Sequence, residues 1–329
     1  MKTTCVTRAV PVQLKPTRPR LWMGLHAAAA VATALLLWPG PVQAQLDDFN
    51  DGNDDGWQRY SPLAPFGLPG VFSFPNGGYR IETRIPSGMP DNPGRAGSIR
   101  TNVVLTDFYI AVDVVNWRDD LQQVFGLLAR IGNIGLGQTT GYAFTYDRGS
   151  GVTPTSGDFD ISRIDGEVPT TIDRGPSGYH LNPAKDYRFV FIGKGPNLEG
   201  RVYELPNIET PVLTITATDS TYPSGYGGLV VYDNTGGKGV TDATFDNYLA
   251  LPEEPPRLKY LIIRETEELQ VFWPVTFTGY ILESSPVLPA TEWTQEEVFE
   301  GPQFFYHWEG SNLGNKFFRL RKPMTGWPP

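Results

Sequence analysis

Along most of this chain apolar and polar residues alternate with a period of two. The alternation comes in short blocks, at 78–85, 108–115, 142–146, 187–192, 212–217 and 228–232, separated by clusters of Gly, Pro, Asn and Asp. Successive side chains of a strand point to opposite faces, so each block predicts a short strand with one face against a core. Helical periodicity is nearly absent. Residues 121–131 are the one stretch with a case for helix, but Gly126 interrupts it and its apolar residues run together, so it also reads as strand. Many short strands between turn signals predict an all-β fold, a sandwich or a barrel.

The pattern breaks at residues 251–257, where two acids sit among three prolines (Pro252, Pro255 and Pro256), the composition of a stiff, extended linker. Beyond it, residues 258–323 repeat the strand pattern on a smaller scale, at 258–264, 269–273, 279–284, 304–308 and 316–320. This predicts a small β module with Trp273 and Trp293 anchoring its core, and residues 324–329 read as a tail.

The first 44 residues follow a different rule. Lys2, Arg8, Lys15, Arg18 and Arg20 precede an apolar run over 21–38, and Val42 and Ala44 occupy the −3 and −1 positions of a cleavage site before Gln45. Basic region, apolar region and small-residue site in that order make a secretory signal peptide. The expectation is a mature chain starting near Gln45 and acting outside the cell or in the periplasm. The rival reading is an uncleaved anchor, because the apolar run is just long enough to span a bilayer. No second apolar run of that length follows, so no transmembrane segment is expected in the mature chain.

Charge and cysteine count narrow the function classes. The chain carries 27 basic and 36 acidic residues; without the five basic residues of the signal, 22 remain against 36, a formal charge of −14. Such a surface repels nucleic acid and anionic lipid. The only cysteine, Cys5, leaves with the signal, which excludes disulfides, thiol catalysis and Cys-ligated metals. His180 and His307 are the only histidines left, which argues against a His-rich metal site.

Two motifs bracket residues 45–250. The opening reads Asp47-Asp-Phe-Asn-Asp-Gly-Asn-Asp-Asp-Gly-Trp57. The ending reads Gly227-Gly-Leu-Val-Val-Tyr-Asp233 and Thr241-Asp-Ala-Thr-Phe-Asp-Asn-Tyr248. Together they resemble the laminin-G-like, concanavalin-type jelly-roll domains of secreted bacterial proteins. The resemblance implies a jelly-roll β-sandwich whose first and last strands lie side by side. It also implies carbohydrate or protein binding, often with a structural Ca²⁺, and less often hydrolysis. The C-terminal segment, with Val271-Phe-Trp-Pro274, Gly279-Tyr-Ile-Leu-Glu-Ser-Ser285 and Phe317-Phe-Arg-Leu-Arg321, resembles a fibronectin-III-like or immunoglobulin-like module.

Candidate chemistry follows. Asp47, Asp48, Asp51, Asn53, Asp54 and Asp55 set six oxygen-bearing side chains within nine residues, with Gly52 and Gly56 permitting tight turns. Hard cations such as Ca²⁺ take six to eight oxygens, and Asp246 joins them if the end strands pair. The competing reading is a solvated acidic turn whose side chains bond their own backbone. Among the aromatics Trp57, Tyr60, Trp117, Tyr142, Tyr146, Tyr179, Tyr222 and Tyr226, the two tryptophans read as core. Tyr222 and Tyr226, in a Gly-Pro loop, and Tyr179 are the candidates for a glycan-binding surface. The laminarinase-type Glu-x-Asp-x-x-Glu strand is absent: Asp158 and Asp160 share a strand face, but Asp165 has the wrong parity. The glycines of 132–137 read as a hairpin or bulge, and His180 as a surface histidine. The leading expectation is a secreted, non-catalytic carbohydrate-binding or adhesion protein with an extracellular glycan or surface protein as partner. The alternatives are a divergent glycoside hydrolase and a structural extracellular spacer.

Overall fold

A computed structural model describes residues 45–67, 69–84, 94–149, 157–176, 178–233, 240–263, 268–274, 280–287, 290–300, 303–309 and 316–321. The expected signal peptide over 1–44 and the tail over 324–329 lie outside the described residues.

The strands run in chain order as β1 (Gln45–Asp47), β2 (Gln58–Tyr60), β3 (Val71–Ser73), β4 (Tyr79–Thr83) and β5 (Arg95–Leu105). Next come β6 (Phe108–Trp117), β7 (Gln123–Gly132), β8 (Thr140–Asp147), β9 (Asp158–Asp165) and β10 (Val168–Arg174). Then follow β11 (Tyr187–Lys194), β12 (Asn197–Glu204), β13 (Leu213–Thr218), β14 (Gly225–Asp233) and β15 (Thr241–Leu251). Among the described residues each of these alternating blocks falls mainly on one of these strands, and most of the ambiguous 121–131 stretch is β7.

These strands form two antiparallel sheets. One has the order β13-β12-β11-β6-β15-β4-β3, with β1 also paired to β15; the other has the order β10-β9-β8-β7-β14-β5-β2. The fold is an all-β sandwich. Its first and last strands pair, Gln45 with Ala250 and Asp47 with Tyr248, as the two end motifs imply.

Alternation decides what lies between the sheets. Ile110, Val112 and Val114 of β6, Phe189 and Phe191 of β11, and Tyr79 and Ile81 of β4 meet residues from the other sheet. Those are Phe125 and Leu127 of β7, Phe144 and Tyr146 of β8, Phe159 and Ile161 of β9, and Leu229 and Val231 of β14. The ring of Phe189 stacks on Phe125 at 6.2 Å and meets Phe159 edge-on at 5.2 Å. Truncating such a fully buried Phe costs about 3–5 kcal/mol, which is how a chain with one cysteine holds its fold without an internal disulfide.

Buried Arg130 ties the loops at one end. It sits at a bulge with φ 51° and donates to the carbonyls of Thr106 (2.8 Å), Tyr222 (3.2 Å) and Gly195 (2.8 Å). Its cation also lies over Phe108 at 5.2 Å. Carbonyl dipoles and a ring face, rather than a carboxylate, hold this buried charge.

The C-terminal residues form two smaller sheets from β16 (Lys259–Ile263), β17 (Glu268–Pro274), β18 (Ile281–Ser285), β19 (Thr294–Gln295), β20 (Phe299–Glu300), β21 (Gln303–Glu309) and β22 (Phe317–Arg321). Their orders are β16-β17-β21-β20 and β19-β18-β22. Val271, Trp273, Leu282 and Tyr306 make their core. Trp273 is the anchor the sequence predicts. Trp293 is not: it is half-buried at the rim, with the Arg319 guanidinium 4.1 Å above its ring. Buried Glu283 in this small sheet is held from both sides by Arg319 (2.8 Å) and Arg321 (2.6 Å).

Candidate functional site

The acidic opening is brought together, and five of its six oxygen-bearing side chains already accept hydrogen bonds. Asp47 accepts from the Phe49 amide at 3.0 Å, the Trp57 indole at 2.7 Å and the Arg100 guanidinium at 3.2 Å. Asp48 accepts from the Asn50 amide, Asp51 from the Asn53 amide, and Asn53 from the Asp55 amide at 2.8 Å. These are Asx turns. Asp54 binds Arg59 at 2.6 and 3.0 Å and the Tyr79 hydroxyl at 2.7 Å. Burial pushes the Asp54 carboxyl up, but Arg59 and Tyr79 outweigh it and leave the group below the usual range.

Asp246 stands opposite Asp113 on β6 and feels the charge of Asp48 from the opening. Burial raises its carboxyl, with the charges of Asp113, Asp48 and Asp186 adding. Asp113 itself is held by Arg188 at 2.6 and 2.8 Å. Among the described residues no three His, Cys, Asp or Glu side chains are arranged to hold a metal ion. A guanidinium on Asp47 occupies the place a cation would take. The residues present do not fit a Ca²⁺ site.

The three candidate tyrosines do not converge. Tyr222 turns inward, donates to Asp165 at 2.5 Å and meets Tyr142 edge-on. That carboxylate raises the Tyr222 hydroxyl to about 12, with burial adding. Tyr179 packs against Phe159 at 6.2 Å. Tyr226 is half-buried on the other side of the sheet, against Ile99, Leu128 and Ile131. Trp117, Tyr142 and Tyr146 are buried in the main core, and Trp57 packs against it. His180 is mostly buried, with Nδ1 3.2 Å from the Tyr146 hydroxyl and Nε2 3.3 Å from Asp119.

What does converge is the outer face of the seven-stranded sheet. Its register places one residue from each strand in a single row: Arg174, Asp160, Thr145, Gly126, Val230, Gly97 and Tyr60. Two glycines leave the middle of that row without side chains. They have no room for any: a Cβ on Gly126 would lie 2.3 Å from the Phe144 carbonyl oxygen, and one on Gly97 2.5 Å from that of Leu229. A flanking row runs Asp158, Asp147, Val124, Tyr232, Arg95. The result is a trough of about 270 Å³ with an apolar floor of Val124, Leu128, Ala143 and Val230.

Charged pairs form its walls. Arg174 grips Asp160 with two bonds, at 2.6 and 2.9 Å, and comes within 3.8 Å of Asp158. Arg95 grips Glu167 likewise, at 3.1 and 2.8 Å. The Tyr60 hydroxyl and the Gly137 amide also donate to Glu167. Burial raises the Glu167 carboxyl and lowers Arg95, so desolvation dominates both partners.

Glu167 lies in the turn between β9 and β10, and Arg95 lies on β5. From β9 to β5 is four steps across the sheet, roughly 19 Å if it were flat. Two side chains cannot span that, so the sheet must curl around the trough.

The sequence marks Asp160 as facing one way with Asp158 but gives no reason to join it to Arg95, Glu167, Arg174 and Tyr232. One signal was present. Gly166-Glu167 stands alone between two alternating segments, the spacing of a two-residue hairpin that folds β10 back onto β9.

No protein-family model matches this sequence, and a search of curated proteins finds no match. Solved structures do align with it. The chain is similar to a carbohydrate-binding module, CBM66, from Bacillus subtilis, at 17% identity and a TM-score of 0.41, covering 60% of this chain and 95% of that one. It is similar to the lectin UEA-II in its galactose complex, at 13% and 0.43, covering 63% and 97%. It is also similar to the exoplasmic/lumenal domain of VIP36 in a Ca²⁺- and mannose-bound form, at 11% and 0.42, covering 61% and 85%. Likeness this distant carries no inference about a ligand; the trough has to be read from its own residues.

Proposed function

We propose that this protein is a non-catalytic, glycan-binding protein that acts outside the cell, and that the trough on the seven-stranded sheet is its binding site. The observation that carries the proposal is the central row, where Asp160 and Arg174 face an apolar floor across two glycines. A sugar ring has a C–H face and a rim of hydroxyls. The floor suits the first. Arg–carboxylate forks, whose outer lone pairs and N–H groups are fixed in a plane, suit the second. Tyr60 and Tyr232 add rings with an apolar body and a polar tip.

The lining carries Asp147, Asp160 and Glu167 against Arg95 and Arg174, a net formal charge of −1. That favours a neutral saccharide over an acidic one. The non-catalytic reading rests on the forks too. Retaining hydrolysis needs one free carboxylate and one protonated acid, whereas Arg95 and Arg174 hold Glu167 and Asp160. We take the C-terminal sheets as an accessory module, fibronectin-III-like in kind. The export grammar of residues 1–44 supports the extracellular setting.

One observation favours a second reading. Asp147 and Asp158 stand directly opposite each other on adjacent strands, on the trough side. Cross-strand pairs sit about 4.5–5.5 Å apart at Cβ, near the separation of a retaining glycosidase's carboxyls. Reducing-sugar release from neutral polysaccharides would establish it, with Asp147→Asn abolishing the release.

The test of the main proposal is an array of neutral and acidic glycans, probed with the mature chain and with Asp160→Asn. Binding confined to neutral glycans and weakened in the variant is expected. Binding equal in both proteins would place the site elsewhere, and no binding at all would refute the function.

A further inference from the structure

The trough is not the same at its two ends. At one end Ile99 and Ile131 are fully buried, and Leu128 and Ala143 nearly so, although all four point away from the main core. Tyr60, Ile134, Ile164 and Tyr226 pack over them. At the other end Thr171 and Arg174 are exposed, and Val124 and Tyr232 are half-exposed. Glu167 rises from the turn beside the filled end, just past Ile164, and its carboxylate reaches across to Arg95 of the open row.

Its position is held from several sides. Gly166 (φ 58°) and Glu167 (φ 68°) both have positive φ, and Asp165 pairs with Val168 across them, which makes a two-residue primed turn. Glycine tolerates that backbone; glutamate rarely adopts it. The strain persists because the Glu167 carboxylate is fixed by Arg95 from β5, Tyr60 from β2 and the Gly137 amide from the β7–β8 turn. The Glu167 amide donates in turn to the Thr139 carbonyl at 2.8 Å. Four parts of the sheet's rim are thus tied over the trough by one side chain. The space left is about 270 Å³, below the roughly 300–1,000 Å³ of sites that enclose a whole drug-sized ligand.

We infer that the trough receives the end of a neutral glycan chain, which enters past Asp160 and Arg174 and stops at the strut formed by Glu167, Arg95 and Tyr60, so that terminal units are bound and chain interiors are not. The inference rests on the glycan reading above and adds a specificity to it. A groove for chain interiors has to be open at both ends. This one is filled at one end with apolar side chains that offer no partner to a hydroxyl. Glu167 and Arg95 act as specificity-determining residues, and the space before them admits a terminal ring.

The test uses the mature full chain and neutral oligosaccharides. Linear glucose, galactose, mannose and fructose oligomers, from disaccharides upward, are titrated together with cyclic gluco-oligosaccharides, which have no ends. The expected result is an affinity that hardly changes as the chain grows. It falls at least about tenfold when the terminal unit is substituted, and the cyclic compounds do not bind. Affinity that climbs steadily with length, or binding of cyclic and linear compounds alike, overturns end recognition while leaving glycan binding standing. Binding of no saccharide overturns both. Glu167→Ala removes the strut and is expected to admit cyclic and interior segments; Glu167→Gln keeps the hydrogen-bonding shape and is expected to retain the preference for ends. If Glu167→Ala folds and still rejects cyclic compounds, the strut is not what closes the trough.

Discussion

The acidic opening, residues 47–57, and the outer trough of the seven-stranded sheet both gather carboxylates, and the two use them in opposite ways. In the opening the acids are neighbours in sequence, and the fold turns most of them to local amides, to Trp57 and Tyr79, and to the guanidinium groups of Arg59 and Arg100. In the trough Asp160 and Glu167 are each gripped by an arginine from another strand, Arg174 of β10 and Arg95 of β5, and these pairs line a cavity. Density of charge along a chain therefore says little about a site. What matters is whether the oxygens remain turned toward a space once the backbone has been satisfied.

The largest expected difference lies in stability. Asp47→Ala leaves the Arg100 cation, which is well shielded, without its carboxylate, and leaves the Trp57 indole without its acceptor. Breaking such a pair costs about 3 kcal/mol, a fall in Tm of roughly 6–12 °C for a domain of this size. Thermal unfolding should show this, with glycan binding preserved in the folded fraction. A variant that melts like the parent would mean the opening is not a structural clasp.

Asp160→Asn sharpens the contrast from the other side. Arg174 is half exposed, so solvent takes over its partner and stability should change by less than about 1 kcal/mol. Glycan affinity should fall about tenfold, or about 1.4 kcal/mol, by calorimetric titration. A large loss of stability with affinity intact would reverse the roles assigned to the two regions.

A smaller effect concerns pH. Burial raises the Asp219 carboxyl, but the Thr221 amide and hydroxyl, Tyr142 and Arg163 together bring it down to about 2. A depressed carboxyl stabilises the fold above its unfolded value near 4, and that contribution disappears as pH falls through about 2. After allowance for solvent it amounts to about 1 kcal/mol. In Asp219→Asn the acid limb between about pH 4 and pH 2 should flatten in unfolding curves. An unchanged limb would show that Asp219 is not held as described.

The smallest effect is the one expected of calcium. With Asp47 bound to Arg100 and the neighbouring acids capping turns, chelation or added Ca²⁺ should move Tm by less than about 1 °C. A calcium-dependent rise of several degrees would show that the opening rearranges to take up a cation.

The fold was legible because strands leave a period-two trace, and among the described residues each block read as strand overlaps one. The meeting of the end motifs was also within reach, since β1 pairs with β15 through Asp47 and Tyr248. The site was much less legible. Asp158 and Asp160 could be put on one face by parity alone. Arg174 opposite Asp160, or Glu167 on Arg95, depends on register and on how far the sheet curls, and neither leaves a local pattern. The tyrosines of residues 222–226 misled for a related reason. A Gly-Pro loop normally faces solvent, but Asp165 and Tyr142 draw Tyr222 inward. Trp293 shows the same limit in the C-terminal sheets, where a rim position under Arg319 replaces the core position its size suggests.

The most direct measurement is hydrogen exchange of the mature chain with and without the neutral glycan it binds best. The trough should gain protection along residues 158–174, which form its exposed wall, and residues 45–57 should exchange unchanged. Protection centred on the opening, or on the 222–226 loop with 158–174 unaffected, would contradict the assignment of the trough as the binding site.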